Sequence, residues 1–141
     1  MKWPSRSSTK AADRGAAAVE FALCLPLLLL LVFGIIDFGR MLNAQLTLTQ
    51  AASEGARLAA LGDPNGVVAA RAQAAAPALS GVSVTVTASC PPGAGPAADA
   101  EVTVNYTFSF ITPVGAIAGL IGGAGFGSPI VLSAQGVAPC E

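Results

Sequence analysis

The hydrophobic and polar positions divide the chain into a polar start, a long apolar run and a remainder of mixed periodicity. The positions from 21 to 36 carry no charged residue. Counted from Ala16, the apolar stretch is about 21 residues, which as a helix rising 1.5 Å per residue can cross a hydrocarbon core of about 30 Å. We therefore predict a leader over residues 1–15 and a transmembrane helix over residues 16–36.

The helical pattern continues beyond the apolar run. Apolar and small residues recur there at spacings near three and four, which predicts one stripe facing the rest of the protein. The predicted stripe consists of Phe38, Met41, Leu42, Leu46, Ala52, Ala56 and Ala59. Gly62 and the turn residues after it end the helix near Leu61, so its outer part spans residues 37–61. The i,i+3 pair of Asp37 and Arg40 is expected on a solvated face.

Residues 62–141 predict a small α+β domain. An alanine-rich second helix is expected over residues 67–76. Alternating valine, threonine and aromatic residues predict strands. These strands lie at residues 82–87, 102–110 and, less regularly, 130–137. Three antiparallel strands bury only a modest core, so the long helix is expected to pack on their apolar face.

The glycine-rich stretch from residue 113 to residue 129 allows two interpretations. Four of its glycines recur every four residues, the spacing of membrane-helix contacts. The 15 residues between Pro113 and Pro129 would form a helix of about 22 Å, which is short of the hydrocarbon thickness. We favour an apolar loop that contacts the membrane surface or a partner, and a second membrane span is the alternative.

Composition and charge support a membrane protein. Hydrophobic residues make up 53% of the chain and charged residues only 11%, whereas soluble domains carry about 25% charged residues. Four of the seven basic residues precede the apolar run: Lys2, Arg6, Lys10 and Arg14. This asymmetry predicts a cytoplasmic N-terminus and an outer, periplasmic C-terminal domain.

The start of the chain allows two other interpretations. A nucleic-acid-binding arm is disfavoured, because aromatic residues are nearly absent from it and a membrane-like segment follows. A cleaved secretory signal peptide is disfavoured because the apolar run is too long and lacks a small-x-small exit site.

The three cysteines differ in setting. Cys24 lies in the apolar run and is expected to act as a small hydrophobic residue. Cys90 and Cys140 fall on the predicted outer side, where disulfides can form. We predict that they pair and tie the C-terminus to the loop after the first strand; two free thiols are the alternative.

Nothing in the sequence indicates an active site. The chain has no histidine, which removes serine–histidine and cysteine–histidine catalysis and the commonest metal ligand. The cysteines lack CxxC spacing, and the glycine-rich stretches lack the lysine and hydroxyl residue of a phosphate-binding loop. We expect no enzyme, cofactor, metal, nucleic-acid or small-molecule site.

The segment over residues 14–62 carries a more specific signal. It reads RGAAAVEFALCLPLLLLLVFGIIDFGRMLNAQLTLTQAASEGARLAALG. Gly15 followed five residues later by Glu20 and then Phe21, ahead of an apolar helix, resembles the type IV prepilin processing site. The longer run, with VEFAL, GIIDFGR and ASEGAR in this order, resembles the TadE/TadG-like family. These are pilin-like proteins (pseudopilins) of the tight-adherence, or Flp, pilus assembly system.

The resemblance implies a role in pilus assembly, with adherence or secretion as its outcome. A prepilin peptidase would cut between Gly15 and Ala16, making Phe21 the sixth residue of the mature chain. Other pilin-like and pilus assembly subunits in the inner membrane would be its partners. The resemblance also implies a pseudopilin-like fold, although residues 62–141 carry no family motif.

Glu20 has a physical role in this scheme. A charge inside a membrane segment is costly. Cleavage would create a positive amine on Ala16, about one helical turn from Glu20, and the pair would lower the cost of both charges. The pair could form within one chain or between neighbouring subunits. The alternative is a helix-start acid at the level of the lipid headgroups.

Two further functions stay open from the sequence. The protein could be an unprocessed, single-span membrane anchor carrying a periplasmic binding module. It could also be an exported soluble domain released by ordinary signal cleavage. The state of the N-terminus distinguishes all three.

Overall fold

The computed structural model describes residues 9–113, 115, 119 and 128–140, with side chains described from Arg14 onward. Two helices and three strands follow one another along the chain. They are α1 (Thr9–Ala60), α2 (Asn65–Ala74), β1 (Ser83–Ala88), β2 (Asp99–Phe108) and β3 (Ile130–Pro139). This arrangement confirms the predicted α+β class, with a long N-terminal helix, a second helix and a three-stranded antiparallel sheet.

Helix α1 is continuous over 52 residues and includes Pro26. It begins at Thr9, seven residues before the predicted start at Ala16. Residues 9–14 are polar but rich in alanine, lysine and arginine, which favour helix. Their polarity therefore does not end the helix.

The end of α1 follows directly from its sequence. The amide of Gly62 donates to Ala59 O at 3.1 Å, and the amide of Asp63 donates to Leu58 O at 3.2 Å. This is the Schellman pattern, which requires a left-handed residue at the first of the two donors. Gly62 adopts φ 78° and meets that requirement without a side-chain clash.

The sheet has the order β1-β2-β3, and both neighbouring pairs are antiparallel. Val84 pairs with Val104, which in turn pairs with Ala134. Side chains largely alternate in exposure along each strand, so the even-numbered residues of the sheet face the helices, α1 beside β2 and β3 and α2 beside β1, and the odd-numbered residues face away. The strand bounds differ from the predicted ones by up to three residues, and most of segment 113–129 lies outside the described residues.

The core lies between the outer part of α1, α2 and the inner face of the sheet. Besides Asp37, the residues that α1 buries are mostly small: Ala44, Leu48, Ala51, Ala52, Gly55, Ala56, Ala59 and Ala60. The predicted stripe was therefore wrong for three of its four large members, while the fourth, Met41, is half-buried. Phe38, Leu42 and Leu46 are exposed on another side of α1. Alanine is only weakly apolar, so its face was undervalued next to the leucines and the phenylalanine.

Small residues let the strands approach α1 closely. A Cβ atom added to Gly136 of β3 would overlap the backbone of Ala52 and Ser53. A Cβ atom added to Gly55 of α1 would lie 3.1 Å from Val102 Cγ1 and 3.3 Å from Ala72 Cβ. At Gly136, β3 thus approaches the backbone of α1 so closely that only glycine fits.

Candidate functional site

The residues proposed for processing lie on one exposed stretch of α1. Gly15, Ala16, Glu20 and Phe21 are all helical and all exposed. A Cβ atom at Gly15 would meet no other atom within 4 Å. The structure therefore places this stretch clear of the outer domain, open to any partner that reaches the start of the helix.

Glu20 lies four residues after Ala16, so the two share one face of α1. Within the described part of the chain, the ion pairs are Arg40–Asp37 and Arg71–Glu54, and Glu20 takes part in neither. The positive group proposed for Glu20, the amine of Ala16, exists only in a cut chain. The cut between Gly15 and Ala16 stays a prediction.

Asp37 is a site that the sequence interpretation missed. It was expected on a solvated face, but only 3% of its surface is exposed. It is the first residue after the apolar run, and its carboxylate reaches across to the segment after β2. The amide of Ile111 donates to Oδ1 at 3.3 Å, and the amide of Thr112 donates to Oδ2 at 3.4 Å.

The charged form of Asp37 is favoured by its neighbours. The Thr112 hydroxyl also donates to Oδ2, and Arg40 Nη1 lies 3.4 Å from Oδ1. The hydroxyl bond is the main cause that lowers the pKa of Asp37 below 3.8; the two amides and Arg40 act in the same direction, while burial opposes them. Asp37 thus fastens residues 111–112 to the helix where it leaves the apolar run. The one signal in the sequence that could have indicated this role is the position of Asp37 directly after the apolar run.

Arg40 extends the same junction to the sheet. Its guanidinium carbon lies 5.3 Å from the centre of the Phe108 ring at the end of β2, within the range of a cation–π contact. The Phe108 and Phe110 rings meet edge to face with centres 5.5 Å apart. The end of the sheet nearest the apolar run, which we call its lower end, therefore lies beside residues 37–40 of α1.

The opposite end of the domain holds the two outer cysteines. The structure joins Cys90 and Cys140 as a disulfide, with Cα atoms 5.7 Å apart and both residues buried. The amide of Cys90 donates to Ala59 O at 3.4 Å, and the amide of Cys140 donates to Ala98 O at 2.9 Å. The bond links the end of β3 to the loop that rests on the last turn of α1. Cys24 is free and exposed in the apolar run.

The arrangement offers little to a metal ion. Among the described residues, no three His, Cys, Asp or Glu side chains lie close enough together to hold one. The expectation that the protein is not an enzyme stays a prediction. Among the described polar side chains, Asp37 makes the most extensive set of hydrogen bonds and ionic contacts.

Helix α1 is the one helix of the described residues that is long and apolar enough to cross a membrane. None of its most apolar 18-residue window is buried inside the protein. Fold and site together define a class: a protein whose described residues contain one candidate membrane helix, which continues into a small α+β domain and is bonded to it through Asp37 at the end of the apolar run.

The comparison with protein families refines this class. Residues 15–57 match the family model described as TadE-like protein. The resemblance predicted from the sequence is therefore confirmed over this segment, which covers the apolar run and most of the outer part of α1. The match supports involvement in Tad pilus assembly in general. Neither the curated proteins nor the solved structures gave a match to the chain.

Proposed function

We propose that this protein is a TadE-like pseudopilin or minor pilin that a prepilin peptidase cuts between Gly15 and Ala16. Residues 1–15 are the cytoplasmic leader, residues 16–36 span the inner membrane, residues 37–61 continue the helix outside, and residues 62–141 form the periplasmic domain. The observation that carries the proposal is the TadE-like match, which begins at Gly15 and includes Glu20 and Phe21.

An exposed apolar face of α1 supports pilus subunits as partners. Leu31, Ile35, Phe38, Leu42 and Leu46 are all exposed along the helix. The first two lie in the apolar run and the last three beyond it, so the face crosses the proposed membrane boundary. A neighbouring pilin-like helix could pack along it both in lipid and outside.

One observation favours the alternative, an unprocessed membrane anchor with a periplasmic binding module. The Gly15–Ala16 bond lies inside α1, since the helix begins at Thr9. A peptidase binding an extended backbone would have to unwind this first part. Gly15 makes unwinding easier, because glycine in a helix costs about 1 kcal/mol relative to alanine.

The decisive experiment determines the N-terminus of the membrane-bound protein by mass spectrometry, with and without the prepilin peptidase. We expect a mature chain that begins at Ala16 only when the peptidase is present. Gly15→Leu should block the cut, and Gly34→Leu is the matched control, because neither glycine has an atom within 4 Å of an added Cβ. A chain that keeps residues 1–15 in the presence of the peptidase would support the unprocessed anchor instead.

Glu20 is proposed to pair with the new amine of Ala16, within the chain or on a neighbouring subunit. The pairing would reduce the cost of two charges in the membrane and would set the axial position of each subunit. Glu20→Gln keeps the size of the side chain and removes its charge. We expect normal processing and reduced incorporation into the assembly, measured by crosslinking to pilus subunits. Normal incorporation of Glu20→Gln would refute the pairing and leave an ordinary helix-start acid.

A further inference from the structure

The end of the sheet nearest the apolar run exposes three large aliphatic side chains. Ile111 is 66% exposed, Ile130 41% and Val131 65%. Ile111 follows β2, and Ile130 and Val131 begin β3, where Ile130 pairs with Phe108. We call these three residues the membrane-facing edge.

The hydrogen bonds of Asp37 determine where this edge lies relative to the end of the apolar run. The amide of Ile111 lies 3.3 Å from Asp37 Oδ1, and Phe108 contacts Arg40. Residues 37–40 lie within about 6 Å of the end of the apolar run at 1.5 Å per residue. The interfacial layer outside the hydrocarbon core is about 5–7 Å thick on each side. The edge therefore lies at the depth of the lipid headgroups whenever residues 16–36 span the membrane.

The distribution of charged residues agrees with a position of this edge near lipid. Glu54 and Asp63 lie further along α1 and beyond its end, whereas Asp99 and Glu101 lie at the opposite end of β2. At the lower end, the charged groups among the described residues are the buried Asp37 and the partly exposed Arg40. An end that is apolar, without an exposed acid and with one arginine, suits the boundary between acyl chains and phosphate groups.

We propose that the membrane-facing edge is a second lipid contact, seated in the outer interfacial layer of the bilayer that α1 spans. The observations favour lipid because the edge is continuous with the spanning segment, so the bilayer covers it without any further partner. Arg40 would bind lipid phosphate from the same position. The inference rests on the membrane topology proposed above and adds that the domain lies on the bilayer rather than standing clear of it.

Tryptophan fluorescence in the full chain tests this contact without disturbing the cysteines. Trp3 is the one tryptophan of the sequence, and Trp3→Phe provides the background. Val131→Trp is the probe and Val137→Trp is the matched control. Both valines lie on β3, six residues apart and on the same side of the sheet, and they are 65% and 59% exposed. Leu27→Trp reports separately whether residues 16–36 lie in the bilayer.

The variants are reconstituted in phosphatidylcholine vesicles that contain a lipid brominated near the headgroup end of its acyl chains. We expect severalfold stronger quenching at position 131 than at position 137, and the reverse order with aqueous iodide. Ile111→Trp should behave like Val131→Trp. Deep quenching at position 27 with equal quenching at positions 131 and 137 would overturn the lipid contact alone. Absence of lipid quenching at position 27 would overturn the topology on which it rests.

Discussion

Helix α1 is one element with two different surfaces. In the apolar run, leucines and isoleucines are exposed on every side, and none of the most apolar window is buried. From Ala44 to Ala60 the same helix buries mostly alanine against the domain. Large apolar side chains therefore do not mark the face of α1 that packs on the domain; small residues mark it. Four predictions test this difference.

The largest effect on the free energy of unfolding is expected from removing the disulfide of the domain. The Cys90–Cys140 bond spans 50 residues of sequence, and the chain-entropy model gives about 4 kcal/mol of stabilisation for such a loop. Cys140→Ser should lower the free energy of unfolding of the domain by roughly that amount. Chemical unfolding in detergent under non-oxidising conditions, followed by circular dichroism, measures it. The same substitution at Cys24, in the apolar run, should change nothing measurable. An equal loss in both variants would contradict the comparison.

A matched pair of leucines tests the two surfaces directly. Leu48 is fully buried, and Leu46, two residues before it, is 65% exposed. Leu48→Ala should cost about 2–5 kcal/mol, because it removes transfer energy and leaves a cavity. Leu46→Ala should stay within about 0.5 kcal/mol, as surface substitutions do. Equal costs in the unfolding of the two variants would mean that the face carrying Leu46 is covered in the isolated protein.

Gly136→Ala should destabilise the domain by about 1–3 kcal/mol, since the added methyl group meets backbone rather than a movable side chain. Gly55→Ala, whose new neighbours are side chains of Val102 and Ala72, should cost less. Gly39→Ala meets no atom within 4 Å and should be neutral or slightly stabilising, because it removes a helical glycine. Thermal unfolding of the three variants should give this order. A neutral Gly136→Ala would show that β3 can move away from α1.

The smallest effect concerns pH. The pKa of Asp37 is lowered below 3.8 in the folded protein, so the unfolded state binds the proton more tightly. The contribution of Asp37 is therefore complete above about pH 4 and is lost as the pH falls through the folded pKa. Unfolding from pH 6 downward should show wild type approaching Asp37→Asn only below about pH 4. Thr112→Val removes the main cause of the lowered pKa of Asp37. The pH at which the stability approaches that of Asp37→Asn should therefore rise toward the ordinary pKa of aspartate. A constant difference between wild type and Asp37→Asn would contradict the assignment.

Part of this architecture could be predicted from the sequence. Period-two valines located β1 and β2, and Gly62 located the end of α1, because both signals are local. The buried face of α1 could not be chosen correctly, because the leucines of the exposed face outweighed the alanines in any hydrophobicity count. The start of β2 at Asp99 was missed because acidic residues disfavour strands, and pairing with the end of β3 overrides that preference.

The site divides in the same way. The positions of Gly15, Ala16, Glu20 and Phe21 came from a contiguous motif, and the cut itself remains a prediction. The fastening at Asp37 could not be predicted, because Ile111 and Thr112 lie more than seventy residues away in sequence. In the sequence, the i,i+3 neighbour Arg40 was sufficient to explain Asp37 as part of a surface ion pair. Nothing local therefore indicated its hydrogen bonds to the distant segment.

The absence of a hinge within the described junction has a mechanical consequence. Helix α1 runs without interruption from the apolar run into the core of the domain, and Asp37 holds the sheet at the exit. A pull or a twist applied to the domain is therefore passed directly to the apolar part of the helix. The apolar part of α1 and the domain are therefore expected to move together as one unit.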